Sequence, residues 1–310
     1  MRCVLLSDTL DLRALFGTAL AAVADRVEIV DHPAEHPEEV RLALGWNPPP
    51  DAFARYPNLA AICSIGAGAD NLLACPGLPE PVAVVRVVDP DQARAMSHFV
   101  LWHLIGHQRR FSAYAENQRA GRWQRLGQRA AAEVPVGILG YGRIGRQVAA
   151  DIAALGFPVA AWSRSPGADE PGIARHHGTD GLAALLARTE VLVNLLPLTP
   201  ETTGLLDAAR LRRLRPGAFL IHVGRGPQLV EADLLATLDD GTLAGAALDV
   251  FAREPLDAGH PFWRHPRIAV TPHEACDASD AAVAAAVAAT AEALAAGRPI
   301  PHAVDRMRGY

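Results

Sequence analysis

The stretch VPVGILGYGRIGRQVAADIAALGFPVAAW, residues 134–162, decides the fold of this chain. An apolar strand, VPVGIL, runs directly into the pattern Gly140-Tyr141-Gly142-Arg143-Ile144-Gly145, and a helix is expected to begin near Arg143. A strand, a GxGxxG turn and a helix in this order are typical of a unit that binds a dinucleotide. Gly140 permits the tight turn, Gly142 lets a pyrophosphate approach the backbone, and Gly145 permits close packing of helix and strand. All six residues are candidate cofactor-binding residues, because the N–H groups at the helix start provide an anion site.

The loop after the next strand indicates which dinucleotide binds. The strand FPVAAW ends at Ser163-Arg164-Ser165. An NAD-binding unit usually has an acid about 20 residues past the glycines, where it accepts a hydrogen bond from the ribose 2′-hydroxyl. Here hydroxyls and a guanidinium stand instead, and arginine binds phosphate through two parallel charge-assisted hydrogen bonds. The sequence therefore predicts NADPH in preference to NADH, with an ordinary polar loop as the alternative.

Short apolar runs alternate with helical patterns on both sides of this unit. A first series of strands is predicted at Cys3–Leu6, Val27–Val30, Leu59–Ile65 and Ala83–Val88. A second series is predicted at Val134–Leu139, Val159–Trp162, Val191–Leu195, Ala218–Val223, Gly245–Asp249 and Ile268–Thr271. Helices are predicted over Leu10–Ala24, near 143–155, 180–188 and 231–239, and in two longer segments, Gln92–Gly121 and Asp280–Ala296. This alternation predicts an α/β protein with parallel sheets, in which the chain leaves one domain, builds a second and returns.

Composition excludes several functions. All 29 basic residues are arginine and the net charge is −5, so Schiff-base lysine chemistry is excluded and ATP-dependent phosphoryl transfer is disfavoured. No long basic run and no apolar run of about 18 residues occurs, so neither nucleic acid nor a membrane is an expected partner, and no signal peptide is expected. Four basic residues recur at helical spacing and are interpreted as solvated surface: Arg119, Arg122, Arg125 and Arg129.

The cysteines and histidines predict a protein without a metal site. The cysteines are far apart and form no CxxC pair: Cys3, Cys63, Cys75 and Cys276. Free thiols of this kind favour a reducing compartment and hence the cytoplasm. The pair His176-His177 has no second cluster with ligand spacing and is interpreted as solvated surface.

Three residues at or after strand ends form the candidate catalytic set. Arg225 follows AFLIHVG, Glu254 follows AALDVFAR, and His273 follows RIAVTP. Ligands bind at the carboxyl ends of strands in open parallel sheets. Each residue alone is weak evidence, but the order and spacing of all three beside a phosphate loop are much more specific.

With these motifs the chain resembles the D-isomer-specific 2-hydroxyacid dehydrogenases over nearly its whole length. The matching stretches are GILGYGRIGRQVA (137–149), VLVNLLPLTPETTGLL (191–206), HVGRGPQLVEADLLATL (222–238), AALDVFAREPL (246–256) and TPH (271–273). Within that family it is most similar to the branch that reduces glyoxylate and hydroxypyruvate, through LGWNPPP (44–50), SIGAGADNLL (64–73), WSRS (162–165) and VDRMRGY (304–310).

The resemblance implies two doubly wound parallel-sheet lobes with the active site in the cleft between them. A flavodoxin-like substrate lobe would comprise residues 1–97 and 274–310, and a Rossmann nucleotide lobe would comprise residues 98–273. The implied activity is NADPH-dependent reduction of small 2-oxo acids, glyoxylate to glycolate and hydroxypyruvate to D-glycerate. A homodimer is implied as well. Another 2-oxo acid is the alternative substrate, and a non-catalytic dinucleotide-binding regulator is the alternative from another class.

The resemblance also assigns roles to individual residues. His273 would be the general acid, Glu254 would orient it and raise its pKa, and Arg225 would bind the substrate carboxylate or polarise the carbonyl. The N–H groups of Ala67 and Gly68 would hold the substrate carboxylate, and Trp46 would cap the pocket. The remaining cofactor contacts would come from Leu196, Pro197, Val223, Gly224 and Asp249, with Asp249 accepting from the nicotinamide carboxamide.

Three positions depart from the family pattern. Glu274 and Cys276 replace small or apolar residues after His273, and His98 stands where the branch often has glutamate. An acid beside the proton donor would either shift the pKa of that donor further or point to solvent. These departures bear on the pH optimum and substrate range, whereas the phosphate loop and the catalytic candidates are unaffected.

Overall fold

The computed structural model describes residues 1–168 and 170–309. Asp169 and Tyr310 lie outside the described residues, and so does the last position of the VDRMRGY match. The chain forms two compact units. Unit 1 comprises Met1–Gln92 and the residues from Asp277 on, and unit 2 comprises Ala93–Cys276.

Unit 1 contains a five-stranded sheet with the order β2-β1-β3-β4-β5, and every pair is parallel. Its strands are β1 (Arg2–Leu6), β2 (Glu28–Val30), β3 (Val40–Gly45), β4 (Ala61–Ser64) and β5 (Ala83–Val85). This is the flavodoxin-like strand order, which confirms the prediction for this lobe. Its helices are α1 (Leu12–Ala21), α2 (Asp70–Leu73) and α9 (Asp280–Ala295).

Both faces of this sheet are buried, as expected for parallel strands covered by helices. One apolar cluster joins α1 and α9 to the sheet through Leu20, Leu44 and Val287, and a second contains Phe53 and Ile62. The first residue of α9 follows the cap Ser279, whose backbone N–H and hydroxyl both donate to Asp89 at 2.8 Å. These bonds attach the returning C-terminal helix to the end of the N-terminal segment.

Unit 2 contains a seven-stranded parallel sheet with the order β12-β11-β10-β9-β6-β7-β8. Its strands are β6 (Val136–Leu139), β7 (Val159–Ser163), β8 (Ile173–His177), β9 (Val191–Asn194), β10 (Ala218–His222), β11 (Leu243–Leu248) and β12 (Ile268–Val270). In sequence order within the unit this is the Rossmann arrangement with one added strand, and its strand order reverses between β6 and β9. The fold class predicted from the sequence is therefore confirmed for both lobes.

The helices of unit 2 cover both faces of its sheet and include α3, which begins at Pro90, just before the unit boundary. They are α3 (Pro90–Gln108), α4 (Phe111–Arg119), α5 (Arg143–Ala154), α6 (Gly178–Arg188), α7 (Ala208–Leu211) and α8 (Glu231–Asp239). Here the prediction of one helix over Gln92–Gly121 is wrong, because Arg110 adopts a left-handed conformation with φ of 58° and divides the segment. Arginine in this conformation has no sequence signature.

Two strands were missing from the sequence prediction. Strand β3 lies at the centre of the first sheet, and β8 lies at the edge of the second. The edge strand carries Arg175, His176 and His177, so its polar sequence hid it, and His176 is half-buried rather than solvated.

None of the helices among the described residues is both long enough and apolar enough to cross a bilayer.

Candidate functional site

The phosphate loop connects β6 to α5. Gly140 has φ of 97°, and a Cβ there would lie 2.8 Å from the carbonyl oxygen of Leu195. A Cβ on Gly145 would lie 2.0 Å from the carbonyl oxygen of Gly140. Both positions therefore require glycine, one for its backbone conformation and one for close contact between helix and loop.

The middle of the same loop is open. Chain neighbours aside, no heavy atom of the described residues lies within 4 Å of the place of a Cβ on Gly142. Arg143 and Ile144 begin α5, so their N–H groups have no acceptor within the helix. This open cradle of backbone donors fits the pyrophosphate of a dinucleotide.

The loop after β7 carries the residues predicted to select the cofactor. Arg164 and Ser165 are exposed, and the Ser163 hydroxyl donates to the Ser165 carbonyl oxygen at 2.8 Å. A second guanidinium lies beside them, because Arg175 on β8 donates through Nη2 to Ser163 Oγ at 3.0 Å. The guanidinium carbon of Arg175, Cζ, lies 4.1 Å from the ring centroid of Tyr141. Arg175 was missed in the sequence analysis because its strand was missed.

Tyr141 is buried beneath this loop. Its hydroxyl donates to Glu170 Oε2 at 2.5 Å, and Glu170 also forms an ion pair with Arg146. Burial and the Glu170 carboxylate raise the pKa of Tyr141 to about 12, so the phenol stays neutral. The side chain acts here as an anchor of the phosphate loop.

Four of the predicted cofactor contacts come after the central strands β9 and β10: Leu196, Pro197, Val223 and Gly224. Leu196 and Val223 are buried, and the Val223 N–H donates to the Asn194 carbonyl oxygen at 3.1 Å. The neighbouring Leu195 N–H donates to the Leu139 carbonyl oxygen at 2.8 Å. Backbone bonds thus place this pair of loops next to the phosphate loop, at the point where the strand order reverses.

The three catalytic candidates follow β10, β11 and β12, which are neighbours in the sheet. His273 Nδ1 lies 2.8 Å from Glu254 Oε2, and Glu254 Oε1 accepts from the Phe251 N–H at 2.9 Å. The backbone of His273 has φ of 60°, an uncommon conformation for a residue with a side chain. With Nδ1 bound to the carboxylate, Nε2 is the ring nitrogen left to transfer a proton.

Charges within this set act on the pKa values of both partners. The hydrogen bond and charge of Glu254 raise the pKa of His273, against burial and the positive charge of Arg225. Burial raises the pKa of Glu254, but hydrogen bonds from His273 and Phe251 outweigh it and lower that pKa overall. The imidazolium–carboxylate form is therefore favoured.

Arg225 follows β10, which lies between β9 and β11 in the sheet. Its Nη1 donates to the Gly224 carbonyl oxygen at 2.8 Å. The next residue, Gly226, packs against the loop after β11, since a Cβ there would lie 1.8 Å from the carbonyl carbon of Phe251. This contact between backbones keeps the Arg225 and Glu254 loops together.

Asp249 is buried and holds the loop that carries His273. Its Oδ1 accepts from the Thr271 hydroxyl at 2.6 Å and from the Glu274 N–H at 2.9 Å, while Oδ2 accepts from the Ala275 N–H at 3.0 Å. Its carbonyl oxygen accepts from the His273 N–H at 2.9 Å. The predicted contact of Asp249 with a carboxamide stays a prediction, and these bonds give the residue a structural role.

The substrate-binding candidates of unit 1 follow its strands in the same way. Trp46 comes directly after β3, and its side chain packs against the apolar cluster of that unit. Ala67 and Gly68 follow β4 in a turn held by Ser64, whose hydroxyl donates to the Gly68 carbonyl oxygen at 2.6 Å. Their roles toward a substrate stay predictions.

The three departures from the family pattern have different surroundings. Glu274 and His98 are exposed, whereas Cys276 is half-buried against an apolar cluster. Since His273 is hydrogen-bonded to Glu254, the exposed Glu274 does not replace that partner.

Two buried amides beneath the site were missed in the sequence analysis. Asn194 ends β9, Gln228 follows Arg225 by three residues, and both side chains are fully buried. A polar residue within an apolar strand, as in VLVN, is the signal that would have found Asn194, because such groups are buried only with hydrogen-bond partners.

Comparison with known proteins agrees with this geometry. The sequence model of the D-isomer specific 2-hydroxyacid dehydrogenase NAD-binding domain matches residues 101–275. A glyoxylate/hydroxypyruvate reductase A of Serratia proteamaculans (strain 568) is 40% identical over 285 residues, which is 90% of this chain and 89% of the relative. The chain belongs to the family of D-isomer-specific 2-hydroxyacid dehydrogenases, as its motifs predicted.

Two solved structures have the same fold over the whole chain. A family member from Xanthobacter autotrophicus Py2, in complex with NADPH and MES, has a TM-score of 0.93 and 41% identity, covering 100% of this chain and 99% of that one. An NADPH-dependent glyoxylate/hydroxypyruvate reductase from Sinorhizobium meliloti, in complex with NADP and sulfate, has a TM-score of 0.91 and 37% identity, with the same coverage of 100% and 99%.

Proposed function

We propose that this protein reduces small 2-oxo acids with NADPH, converting glyoxylate to glycolate and hydroxypyruvate to D-glycerate. The observation that carries this proposal is the His273–Glu254 pair, 2.8 Å apart at the same sheet edge as Arg225 and the phosphate loop. Relatives with the reductase name, and a structural neighbour named for NADPH-dependent reduction, support the substrate and the cofactor.

In this function the residues bind, orient and protonate the substrate. The phosphate loop would hold NADPH, which when bound would supply the hydride for the carbonyl carbon. His273 transfers the proton on Nε2 to the carbonyl oxygen and becomes neutral, while Glu254 keeps its ring in place. Arg225 binds the carboxylate or the carbonyl oxygen on which negative charge develops.

The proton donor is matched to neutral pH. Because Glu254 raises the pKa of His273, the imidazolium stays populated to higher pH than an isolated imidazole would. Reduction is expected to proceed below the pKa of His273 and to be lost as pH rises through it.

The charged loop after β7 supports NADPH as the cofactor. Arg164 follows Ser163 in the position where an NAD-binding unit has an acid, and Arg175 adds a guanidinium 3.0 Å from Ser163 Oγ. A 2′-phosphate carries the charge that two such groups favour. In unit 1, the N–H groups of Ala67 and Gly68 and the indole of Trp46 are the proposed substrate contacts.

Assembly and location are further parts of this proposal. We propose a cytoplasmic homodimer that uses the segment from α3 to the loop after α4. This segment exposes three large apolar side chains, Trp102 at 72%, Phe111 at 49% and Trp123 at 99%. Large exposed apolar side chains are candidates for a protein–protein contact when they form one patch. Light scattering on the purified protein, with Trp123→Ser as the variant, tests the dimer.

Steady-state kinetics with both cofactors and a panel of 2-oxo acids test the function. We expect turnover of glyoxylate and hydroxypyruvate, with kcat/KM for NADPH well above that for NADH. The Arg164→Met variant should lose about 30-fold in kcat/KM for NADPH and little for NADH, since only NADPH has the 2′-phosphate.

The exposed Arg213→Met variant is the matched control and should keep the cofactor preference. A preference of the wild type for NADH would overturn the cofactor assignment. Faster turnover of a bulkier 2-oxo acid would favour the alternative substrate, and NADPH binding without any turnover would favour a regulatory protein.

A further inference from the structure

A fully buried glutamine connects two loops of the candidate site. Gln228 ends the short 3-10 turn that follows Arg225, and its side chain is 0% exposed. Its Oε1 accepts from the Arg225 N–H at 2.9 Å and from Asn194 Nδ2 at 2.8 Å. Its Nε2 donates to the carbonyl oxygens of Leu196 at 3.0 Å and Pro197 at 2.8 Å. One amide therefore binds both the loop after β9 and the loop after β10.

The hydrogen-bonding capacity of this amide is fully used. A glutamine side chain has two N–H donors and an oxygen with two lone pairs, and each has a partner here. Rotating the amide by 180° would direct its N–H groups at the N–H of Arg225 and the NH2 of Asn194. The partners thus fix the orientation of the Gln228 amide.

Asn194 extends the network below Gln228. Its Nδ2 also lies 3.1 Å from His222 Nδ1, and its Oδ1 accepts from the Leu196 N–H at 3.3 Å. Burial lowers the pKa of His222 to about 4, so this histidine is neutral near pH 7. All three side chains beneath the loops are therefore uncharged at neutral pH.

We propose that Gln228 is a positioning residue that sets the distance between the substrate-binding Arg225 and the cofactor-facing Leu196–Pro197 segment. This inference rests on the proposed function, in which Arg225 holds the 2-oxo acid and the other loop contacts the nicotinamide ribose. Hydride transfer depends steeply on the separation of the reacting atoms, and a displacement of about 1 Å can cost about 100-fold. Loss of Gln228 should therefore lower kcat more than it weakens binding of either ligand.

The Gln228→Met variant removes the hydrogen bonds of this amide, including a longer one from Nε2 to the Thr202 hydroxyl at 3.4 Å, and keeps the side-chain volume. We expect kcat to fall about 10-fold to 100-fold, while the Kd for NADPH, measured by fluorescence titration, changes less than about threefold. Hydrogen–deuterium exchange of the ligand-free protein should become faster in peptides covering both loops, 195–203 and 222–230. The exposed Gln147→Met variant is the matched control. It should leave kcat, the Kd for NADPH and the exchange rates of both loops unchanged.

The Gln228→Glu variant gives a pH signature. An ionised carboxylate would keep the contacts of Oε1 but would direct its second oxygen at the two carbonyl oxygens, whereas a neutral carboxyl donates to one of them. Burial and the carbonyl oxygens favour the neutral acid. The ratio of variant kcat to wild-type kcat should therefore rise as pH falls.

Several results would overturn the positioning role of Gln228. An unchanged kcat with unchanged exchange in Gln228→Met overturns the positioning role, and so does an equal loss of kcat and NADPH binding together with a general loss of protection. If Gln228→Met does not fold, a flat kcat ratio across pH for Gln228→Glu overturns it. Absence of turnover in the wild type would instead reject the proposed function, and the exchange experiment would still test the connection between the loops.

Discussion

The two ends of strand β9 both carry buried polar residues, but of opposite character. At its amino end, Glu190 accepts from Arg129 through both carboxylate oxygens, at 2.5 and 2.8 Å, and lies 3.1 Å from His107 Nε2. At its carboxyl end, Asn194 joins the network of neutral amides with Gln228. One strand thus has a charged cluster at one end and an uncharged network at the other.

The charged cluster and the neutral network suit different roles, the first in the stability of the fold and the second in the chemistry of the site. Ligands bind at the carboxyl ends of parallel strands, so a fixed charge beneath that edge would act on the pKa of His273 and on the anionic substrate. Neutral amides position the loops without adding such a field. Ligands are not expected at the amino ends of parallel strands, so the charges of Glu190 and Arg129 lie at the end of the sheet away from the site.

The cluster at the amino end also corrects one interpretation of the sequence. The helical spacing of the basic residues predicts solvated surface at Arg129, whereas its guanidinium binds the buried Glu190. Although burial opposes ionisation of Glu190, its hydrogen bonds with His107 and Arg129 lower its pKa to about 2. The loop after α4 is therefore attached to the sheet through this arginine.

The largest expected effect at the carboxyl end is that of His273→Ala. Removing the proton donor should lower kcat for glyoxylate about 1000-fold, because general acid catalysis contributes about 100-fold to 10,000-fold. The melting temperature should stay near that of the wild type, because His273 lies at the carboxyl ends of the strands and outside the charged cluster around Glu190. The exposed His36→Ala variant serves as control in the same kinetic assay. Near-normal turnover in His273→Ala would reject the mechanism.

The amino end should respond in the opposite way to Glu190→Gln. Replacing one member of a buried pair should destabilise the fold by about 2 kcal/mol, a fall in melting temperature of about 4 °C measured by calorimetry. The value of kcat should stay near that of the wild type, because ligands bind at the carboxyl ends of the strands. Exposed Glu80→Gln is the control. A loss of activity without a loss of stability would break the contrast between the two strand ends.

Lowering the pH should remove the difference in stability between the wild type and the Glu190→Gln variant. Because the pKa of Glu190 is lowered from 4.5 to about 2 in the folded state, its contribution is complete above the ordinary pKa and is lost as pH falls toward about 2. The gap in melting temperature between wild type and Glu190→Gln should therefore narrow below about pH 4.5. A gap that stays constant with pH would show that the ion pair is not its source.

The smallest effect is expected for Glu254→Gln, which sharpens the contrast within the site itself. Without the carboxylate, the raised pKa of His273 is lost, so the alkaline limb of the kcat profile should move to lower pH. Activity should fall about tenfold at neutral pH and recover in part as pH is lowered. The measurement is kcat from pH 5 to 9 in both proteins, and an unshifted alkaline limb would contradict the role of Glu254.

Local patterns were sufficient for most of the fold. The phosphate loop, most of the strands and the positions of Arg225, Glu254 and His273 follow from apolar runs and from turn residues at strand ends. Strand β3 escaped detection although it is central, since short apolar runs do not distinguish a buried strand from a helix. Edge strand β8 escaped for the opposite reason, because an edge strand needs little apolar sequence.

The sequence by itself determined the family, the two lobes and the groups that would carry the chemistry, because glycine spacing and strand ends depend on neighbours in the chain. Only the tertiary structure decided what holds those groups in place. Arg129 meets Glu190, Arg175 meets Ser163, and Gln228 meets Leu196 and Pro197 across 12 to 61 positions of the chain. Such contacts form when separate strands pair, and no local pattern encodes them.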